Sequence, residues 1–410
     1  MNLDEAAVLR KTPVLLGAPV APGSGRLEIV EERGTFSSGD GELSARVEVH
    51  DLRTYGALVR QGSVGLGASY VAGWWDSDDL VALVRVLFRR SAGLRERLDR
   101  VARQRLVALG LDLFGQAGRS GRSSDRSNVK AHYDVSNELF EIVLDSTMTY
   151  SCAVFADEAE PLEEAQRRKI DMICRKLSLR AGDHLVEIGS GWGALSLHAA
   201  QAYGCKVTTT TISDAQRGYV ERLVAANELG DRITVLGEDW RDLRGSYDKL
   251  VSVEMIEAVD WQHHDEFLSR CAALLKDEGL ACIQMIVVDD ASFERAKRHA
   301  DFIRELVFPG SCIPSIASVA TSLSRSTDLR IVDLEDIGRH YAETLRRWRE
   351  SLSSRREDVE RLGVEPSFAR LFSLYLAYCE AAFLERHISD VQLVAAKSGW
   401  RDELGVRSRR

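Results

Sequence analysis

No Cys-x-x-Cys pair and no cysteine or histidine cluster with metal-ligand spacing occurs in this chain of 410 residues. Its seven cysteines, at 152, 174, 205, 271, 282, 312 and 379, are an odd number. That pattern argues against a disulfide framework and a structural zinc site, so no metal is expected and a reducing cytoplasm suits the chain. Long apolar runs are missing too. None approaches the roughly 18 to 20 residues that span a bilayer, and Met1 to Leu9 lacks a basic-then-apolar leader. A soluble or peripheral protein is expected. The chain also lacks a basic excess: a formal charge of -9 offers no bulk attraction to nucleic acid. Lysine is scarce, at 9 against 45 arginines, and the arginines are locally concentrated.

Eight of them (85, 89, 90, 95, 97, 100, 103 and 105) fall between Arg85 and Arg105, against only Glu96 and Asp99. On a helical pattern, with Leu87, Phe88, Leu94, Leu98 and Leu106 as apolar neighbours, such a patch suits an anionic membrane surface, where each cation contributes on the order of 1 kcal/mol. A solvated helix packed on the rest of the protein accounts for it equally well. Leu27 to Val30 and Ala45 to Val49 alternate like short strands, and Asp79 to Leu113 has helical spacing, so residues 1–115 read as a small α+β domain. Residues 116–127, rich in Gly, Ser and Arg, read as a flexible linker. Beyond it, strands at His184 to Ile188, Cys205 to Thr210, Arg232 to Leu236, Lys249 to Val253 and Leu280 to Ile286 alternate with helices at Leu162 to Leu179, Ala194 to Tyr203 and Asp214 to Glu228. This order predicts an α/β domain over 128–410 built on a mostly parallel sheet.

The strongest local signal is Glu187-Ile188-Gly189-Ser190-Gly191-Trp192-Gly193, a strand end that passes through a glycine-rich turn into a helix. Glycines there allow a tight turn and close backbone approach, and the helix start offers unpaired N–H groups. A dinucleotide site would space its glycines as G-x-G-x-x-G for a pyrophosphate; here the third glycine comes one residue earlier and an acid lies two before the first. S-adenosylmethionine has no phosphate and is cationic, so acidic and carbonyl groups suit it better. Thr211, Ser213 and Gln216 follow the second strand, where a ribose would lie, and Asp239 and Trp240 follow the third, where an adenine would. Each of these alone reads as a helix cap or a turn. Together, at successive strand ends, they favour a cofactor.

Several ordered motifs then resemble the cyclopropane fatty acid synthase family, which includes the mycolic acid cyclopropane synthases and actinobacterial enzymes that make methyl-branched acids. They are Ala131-His132-Tyr133-Asp134-Val135-Ser136-Asn137, Met148-Thr149-Tyr150-Ser151-Cys152-Ala153, the glycine turn, Glu254-Met255-Ile256-Glu257-Ala258-Val259, Val307-Phe308-Pro309-Gly310, and Tyr341 ahead of Thr344-Leu345-Arg346-Arg347-Trp348. Tyr378 to Phe383 and Asp390-Val391-Gln392 are similar as well. The resemblance implies a Rossmann-like methyltransferase domain with a seven-stranded sheet. It implies that Tyr133, Tyr150 and Ser151 cover S-adenosylmethionine, while Glu187, Gly189, Gly191, Thr211, Ser213, Gln216, Asp239 and Trp240 hold it. It also implies a bicarbonate or carbonate ion near the transferred methyl, held by Cys152, Glu257, Gln284, Tyr341 and the backbone of Ile286. The family usually has histidine where Gln284 stands, and often where Ala258 stands.

The activity so implied is transfer of a one-carbon unit to the cis double bond of an unsaturated phospholipid acyl chain. The resulting cation gives a cyclopropane by losing a proton, and either outcome needs a base near the cation. The alternative outcome is a methylene product that a flavin- or NADPH-dependent reductase converts to a 10-methyl, tuberculostearic-type acid. Phe302 to Pro309 could line an acyl channel or belong to the core. Cytoplasmic placement at the inner face of the membrane follows from the substrate, and a homo-oligomer stays open. Two further readings are a methyltransferase for a small polar molecule, which would need a hydrophilic pocket, and a lipid-binding module that consumes no cofactor.

Overall fold

The computed structural model describes residues 23–90, 137–298 and 301–401. Its described residues fall into two compact units: 23–90, 298, 301–309 and 342–387 form the first, and 137–297, 310–341 and 388–401 the second. The first unit is therefore discontinuous in sequence.

In the first unit β1 (Arg26–Glu31), β2 (Gly34–Ser38), β3 (Ser44–Val49) and β4 (Trp75–Ser77) form a sheet in the order β2-β1-β3-β4. Leu27, Ile29, Ala45 and Val49 are buried, as the alternating pattern requires. The helices Arg53–Val71 and Pro366–Leu384 pack together. Pro366 suits the first helical turn because its missing N–H would have no partner there. Arg370, on the second helix, sits 4.0 Å over the Tyr70 ring and donates to Asp76 at 2.8 Å. No helix among the described residues is long and apolar enough to cross a membrane.

The second unit holds β5 (His184–Ile188), β6 (Lys206–Thr210), β7 (Ile233–Leu236), β8 (Tyr247–Val253), β9 (Leu275–Val288), β10 (Arg330–Asp336) and β11 (Ile388–Ala396). They make one sheet in the order β10-β11-β9-β8-β5-β6-β7, in which β11 runs antiparallel to its neighbours β9 and β10 and the other pairings are parallel. This is the mostly parallel, seven-stranded Rossmann-like sheet expected. Leu185, Val186 and Ile188 of β5 are all buried, since helices cover both faces. The two faces carry separate cores, one around Ile283, Met285, Val391 and Leu393, the other around Leu185, Cys282, Val394 and Val251.

Sequence patterning reached β5 to β8 closely and missed the start of β9. Lys276-Asp277-Glu278 looks like a turn, yet the strand starts at Leu275, with an irregular register against β8 after Tyr247. Period two then sorts β9 and β11. Gln284, directly opposite Gln392, shares a face with Ile286 and Asp390, whereas Ile283, Met285, Val391 and Leu393 face the apolar core.

Candidate active site

The C-terminal ends of β5, β6 and β8 meet at the glycine turn. Gly189, Gly191 and Gly193 have φ of 94°, 49° and 90°, a region that favours glycine. The turn is held by Gly189 and Ser190 N–H donating to Thr210 O, at 3.1 and 2.9 Å. A Cβ at Gly189 would stand 2.9 Å from Met255 Cγ, and one at Gly193 would stand 3.1 Å from Val220. One at Gly191 would meet nothing within 4 Å, so this backbone is the part of the turn that borders open space. Behind β6, Ser213 caps the helix Asp214–Ala226 by accepting from Gln216 N–H at 3.3 Å, and Thr211 Oγ1 donates to Gln216 Oε1 at 2.8 Å. Thr211, Ser213 and Gln216 thus form one local network at a strand end.

Glu187 lies deeper. Ser196 and Thr209 both donate to its Oε2, tying β5 to the helix Ala194–Ala202 and to β6. Burial pushes its carboxyl up to about 7. Trp240 belongs to the core, edge-on to Phe267 with ring centres 5.2 Å apart, and Asp239 pairs with Arg241 at 3.0 Å. Tyr150 packs against Phe140. Ser151 is buried, and its Oγ accepts from Lys169 Nζ at 2.6 Å. Tyr133, with the neighbouring His132, lies outside the described residues. A half-buried backbone at Gly191, with open space where a side chain would stand and capped polar loops beside it, fits a polar cofactor.

The second cluster centres on a residue that sequence reasoning left without a role. Glu254, just past β8, has φ of 50°. Its Oε1 accepts from Cys152 N–H at 2.8 Å and from Gln284 Nε2 at 2.9 Å, and its Oε2 accepts from Tyr341 O–H at 2.6 Å. Gln284 also donates to Asp390 Oδ2 at 2.9 Å and accepts from Gln392 at 3.1 Å. Glu257 stands apart from these donors. Ile286 N–H donates to its Oε1, while its Oε2 is buried without a hydrogen-bond partner.

The five residues expected to cage a bicarbonate ion are therefore brought to one end of the sheet, with their donors turned toward two carboxylates. Three of the donors, on Cys152, Gln284 and Tyr341, converge on Glu254, and the fourth, on Ile286, goes to Glu257. Bicarbonate does not fit a donor set already engaged by carboxylates. Cys152 contributes through its backbone. Its thiol is fully buried and pushed well above the ordinary range by burial and then by the Asp390 and Glu254 carboxyls, so it stays protonated.

Electrostatics separates these acids. Burial first, and the Glu254 charge second, push Glu257 up to about 8. Asp390 is raised well above the usual carboxylate range by burial and by Glu254 and Glu257. Burial lowers Lys169, whose neighbours Glu254, Cys152 and Asp390 oppose that shift. Lys169 had a readable signal: it falls four residues after Ala165 and four before Ile173 on the buried stripe of the helix Leu162–Lys176. Glu254 and Asp390 sit within motifs noted above, but nothing local distinguished them from ordinary strand-end acids.

Other expectations resolve as packing within the first unit. Arg85 and Arg89 both pair with Glu385, at 2.7 and 2.8 Å, and buried Arg90 donates to Gly25 O and Ser38 O. The arginines from 95 to 105, with Leu94, Leu98 and Leu106, lie outside the described residues. Phe302 is core, against Gly67 and the Tyr378 ring, and Phe308 packs edge-on to Tyr375.

Comparison with known proteins gives this geometry its setting. Residues 121–393 match the family model described as mycolic acid cyclopropane synthetase. Tuberculostearic acid methyltransferase UfaA1 of Mycobacterium tuberculosis is 37% identical over 83% of this chain and 80% of its own length. The cyclopropane-fatty-acyl-phospholipid synthase of Escherichia coli is 32% identical over 90% of this chain and 92% of its own. Among solved structures, cyclopropane synthase MmaA2 of M. tuberculosis superposes with a TM-score of 0.62 at 29% identity, over 66% of this chain and 98% of that one. Mycolic acid cyclopropane synthase CmaA1, complexed with SAH and CTAB, superposes with a TM-score of 0.61 at 30% identity, over 66% and 98%.

Proposed function

Since the chain belongs to the mycolic acid cyclopropane synthetase family, we propose that it is an S-adenosylmethionine-dependent C-methyltransferase that adds a one-carbon unit to the cis double bond of a phospholipid acyl chain, leaving a cyclopropane. The observation that carries this reading is the meeting of the glycine turn with a hydrogen-bonded carboxylate cluster. Met255, next to Glu254, is the residue that a Cβ on Gly189 would strike.

Bound S-adenosylmethionine supplies an electrophilic methyl. The chain's own residues do the rest: Gly189 and Gly191 let the backbone approach the cofactor, and Thr211, Ser213 and Gln216 fix the loop beside it. Tyr150 and Ser151 lead the chain from this cofactor side to Cys152. An alkene is a weak nucleophile and its cation is trapped by water, so positioning and exclusion of water have to accompany a base fixed beside the reacting carbon. The substrate's location implies docking on an anionic membrane from the cytoplasmic side. With Arg85, Arg89 and Arg90 held by internal partners, docking would draw on other basic groups.

A second product is favoured by one observation, the similarity to a relative named for tuberculostearic acid methylation. In that reading a hydride shift precedes proton loss and a methylene product passes to a flavin- or NADPH-dependent reductase. Incubating the protein with S-adenosylmethionine and vesicles of cis-monounsaturated phospholipid, then analysing the fatty acids by mass spectrometry, tests both. Gain of one CH2 with a cyclopropane is expected. A methylene product that becomes methyl-branched only when a reductase is added selects the second reading, and unchanged fatty acids reject both.

A further inference from the structure

The activity proposed above needs a base beside the reacting carbon, and the family resemblance assigns that work to a bound bicarbonate. The arrangement here differs. Donors that would hold the ion are Cys152 N–H, Gln284 Nε2 and Tyr341 O–H, and each donates instead to the carboxylate of Glu254. Convergence of three donors on one carboxylate is how proteins fix an anion in a chosen orientation.

A second, independent observation is backbone strain. Glu254 has φ of 50°, a conformation that glycine adopts freely and that a residue bearing a Cβ adopts only at an energetic cost. Strain of this kind persists where the surroundings hold it and clusters at functional sites. It is this backbone geometry that leaves the carboxylate among the three donors. From this we infer that the Glu254 carboxylate is a built-in occupant of the anion site and is the general base of the reaction, so that no bicarbonate is required.

The proton transfer balances without a co-reactant. A C–H bond of the newly added methyl breaks, and its electron pair forms the C–C bond that closes the ring. The proton forms an O–H bond with Glu254 and later leaves to solvent. In the methylene route the same electron pair forms the exocyclic double bond. Oε2, with Tyr341 as its hydrogen-bond donor against two on Oε1, is the oxygen better placed to take the proton. Gln284, fixed by Gln392 and shared with Asp390, is a positioning residue.

This inference rests on the proposed activity, yet its binding test does not. Binding of 13C-bicarbonate, followed by 13C NMR, is expected to be absent in the wild-type protein and present in Glu254→Gly, where the cage is vacated and the backbone strain is relieved. Saturable binding to the wild type, or none to the glycine variant with its melting temperature intact, overturns the assignment. In the vesicle assay, wild-type turnover is expected to be unchanged when dissolved CO2 and bicarbonate are stripped out; a fall overturns it. Glu254→Gln should lower turnover by about a hundred- to ten-thousand-fold while keeping S-adenosylmethionine affinity, and near wild-type turnover overturns it. Added bicarbonate should raise the turnover of Glu254→Gly but not of Glu254→Gln. A wild-type protein that never releases S-adenosylhomocysteine refutes the activity, while the binding measurement still decides whether Glu254 fills the anion site.

Discussion

Glu257 keeps its carboxyl where charge is disfavoured, by burial and by the nearby Glu254, and its folded value of about 8 lies above the ordinary 4.5. A group shifted upward lends stability that is complete below the unfolded value and is lost as pH rises through the folded one. Glu257→Gln keeps an oxygen for the Ile286 N–H and removes the titration. The variant should therefore gain stability relative to the wild type as pH rises from about 5 to 9, by roughly one to a few kcal/mol. Thermal melts of the two proteins across that range check this, and parallel curves would refute it. At this scale the acid type was legible in sequence, but which acid receives which donor was not. Glu254 and Glu257 are three residues apart in one motif, and the left-handed backbone at Glu254 decides which of them meets Cys152, Gln284 and Tyr341.

The glycine turn is an element whose sequence pattern carried through to structure, because positive φ at three nearby positions leaves few residue choices. Its glycines nonetheless have different jobs. Gly193→Ala would press a methyl to 3.1 Å from Val220 at φ of 90°, so it should destabilise the protein by about 1–2 kcal/mol or more. Gly191→Ala faces open space, so the conformational cost alone applies, and the methyl intrudes where the cofactor would lie. Calorimetric titration with S-adenosylmethionine should show the larger loss of affinity for Gly191→Ala, and thermal melts the larger loss of stability for Gly193→Ala. The opposite ranking would place the cofactor elsewhere. The strands β10 and β11 were not read from sequence at all. β10 is exposed along its whole length and carries no buried stripe, and β11 mixes Asp390 and Gln392 with apolar residues because one of its faces lines the polar cluster.

At the scale of the molecule, the described arginines of the basic patch act inside the first unit. Replacing both Arg85 and Arg89 by Gln leaves Glu385 without its two cations and should cost on the order of 1 kcal/mol. Binding to anionic vesicles should stay unchanged in a co-sedimentation assay, and a marked loss of binding would show that these two side chains face lipid after all. Local periodicity, and residues that few others can replace, were enough to specify the parallel α/β unit, the glycine turn and the family motifs. Long-range packing alone settled that residues 301–309 and 342–387 cluster with 23–90, and that the donors on Cys152, Gln284 and Tyr341 converge on Glu254. Both outcomes depend on contacts between segments far apart in the chain, as when Cys152, Gln284 and Tyr341 reach one carboxylate, and no local pattern encodes where such segments meet.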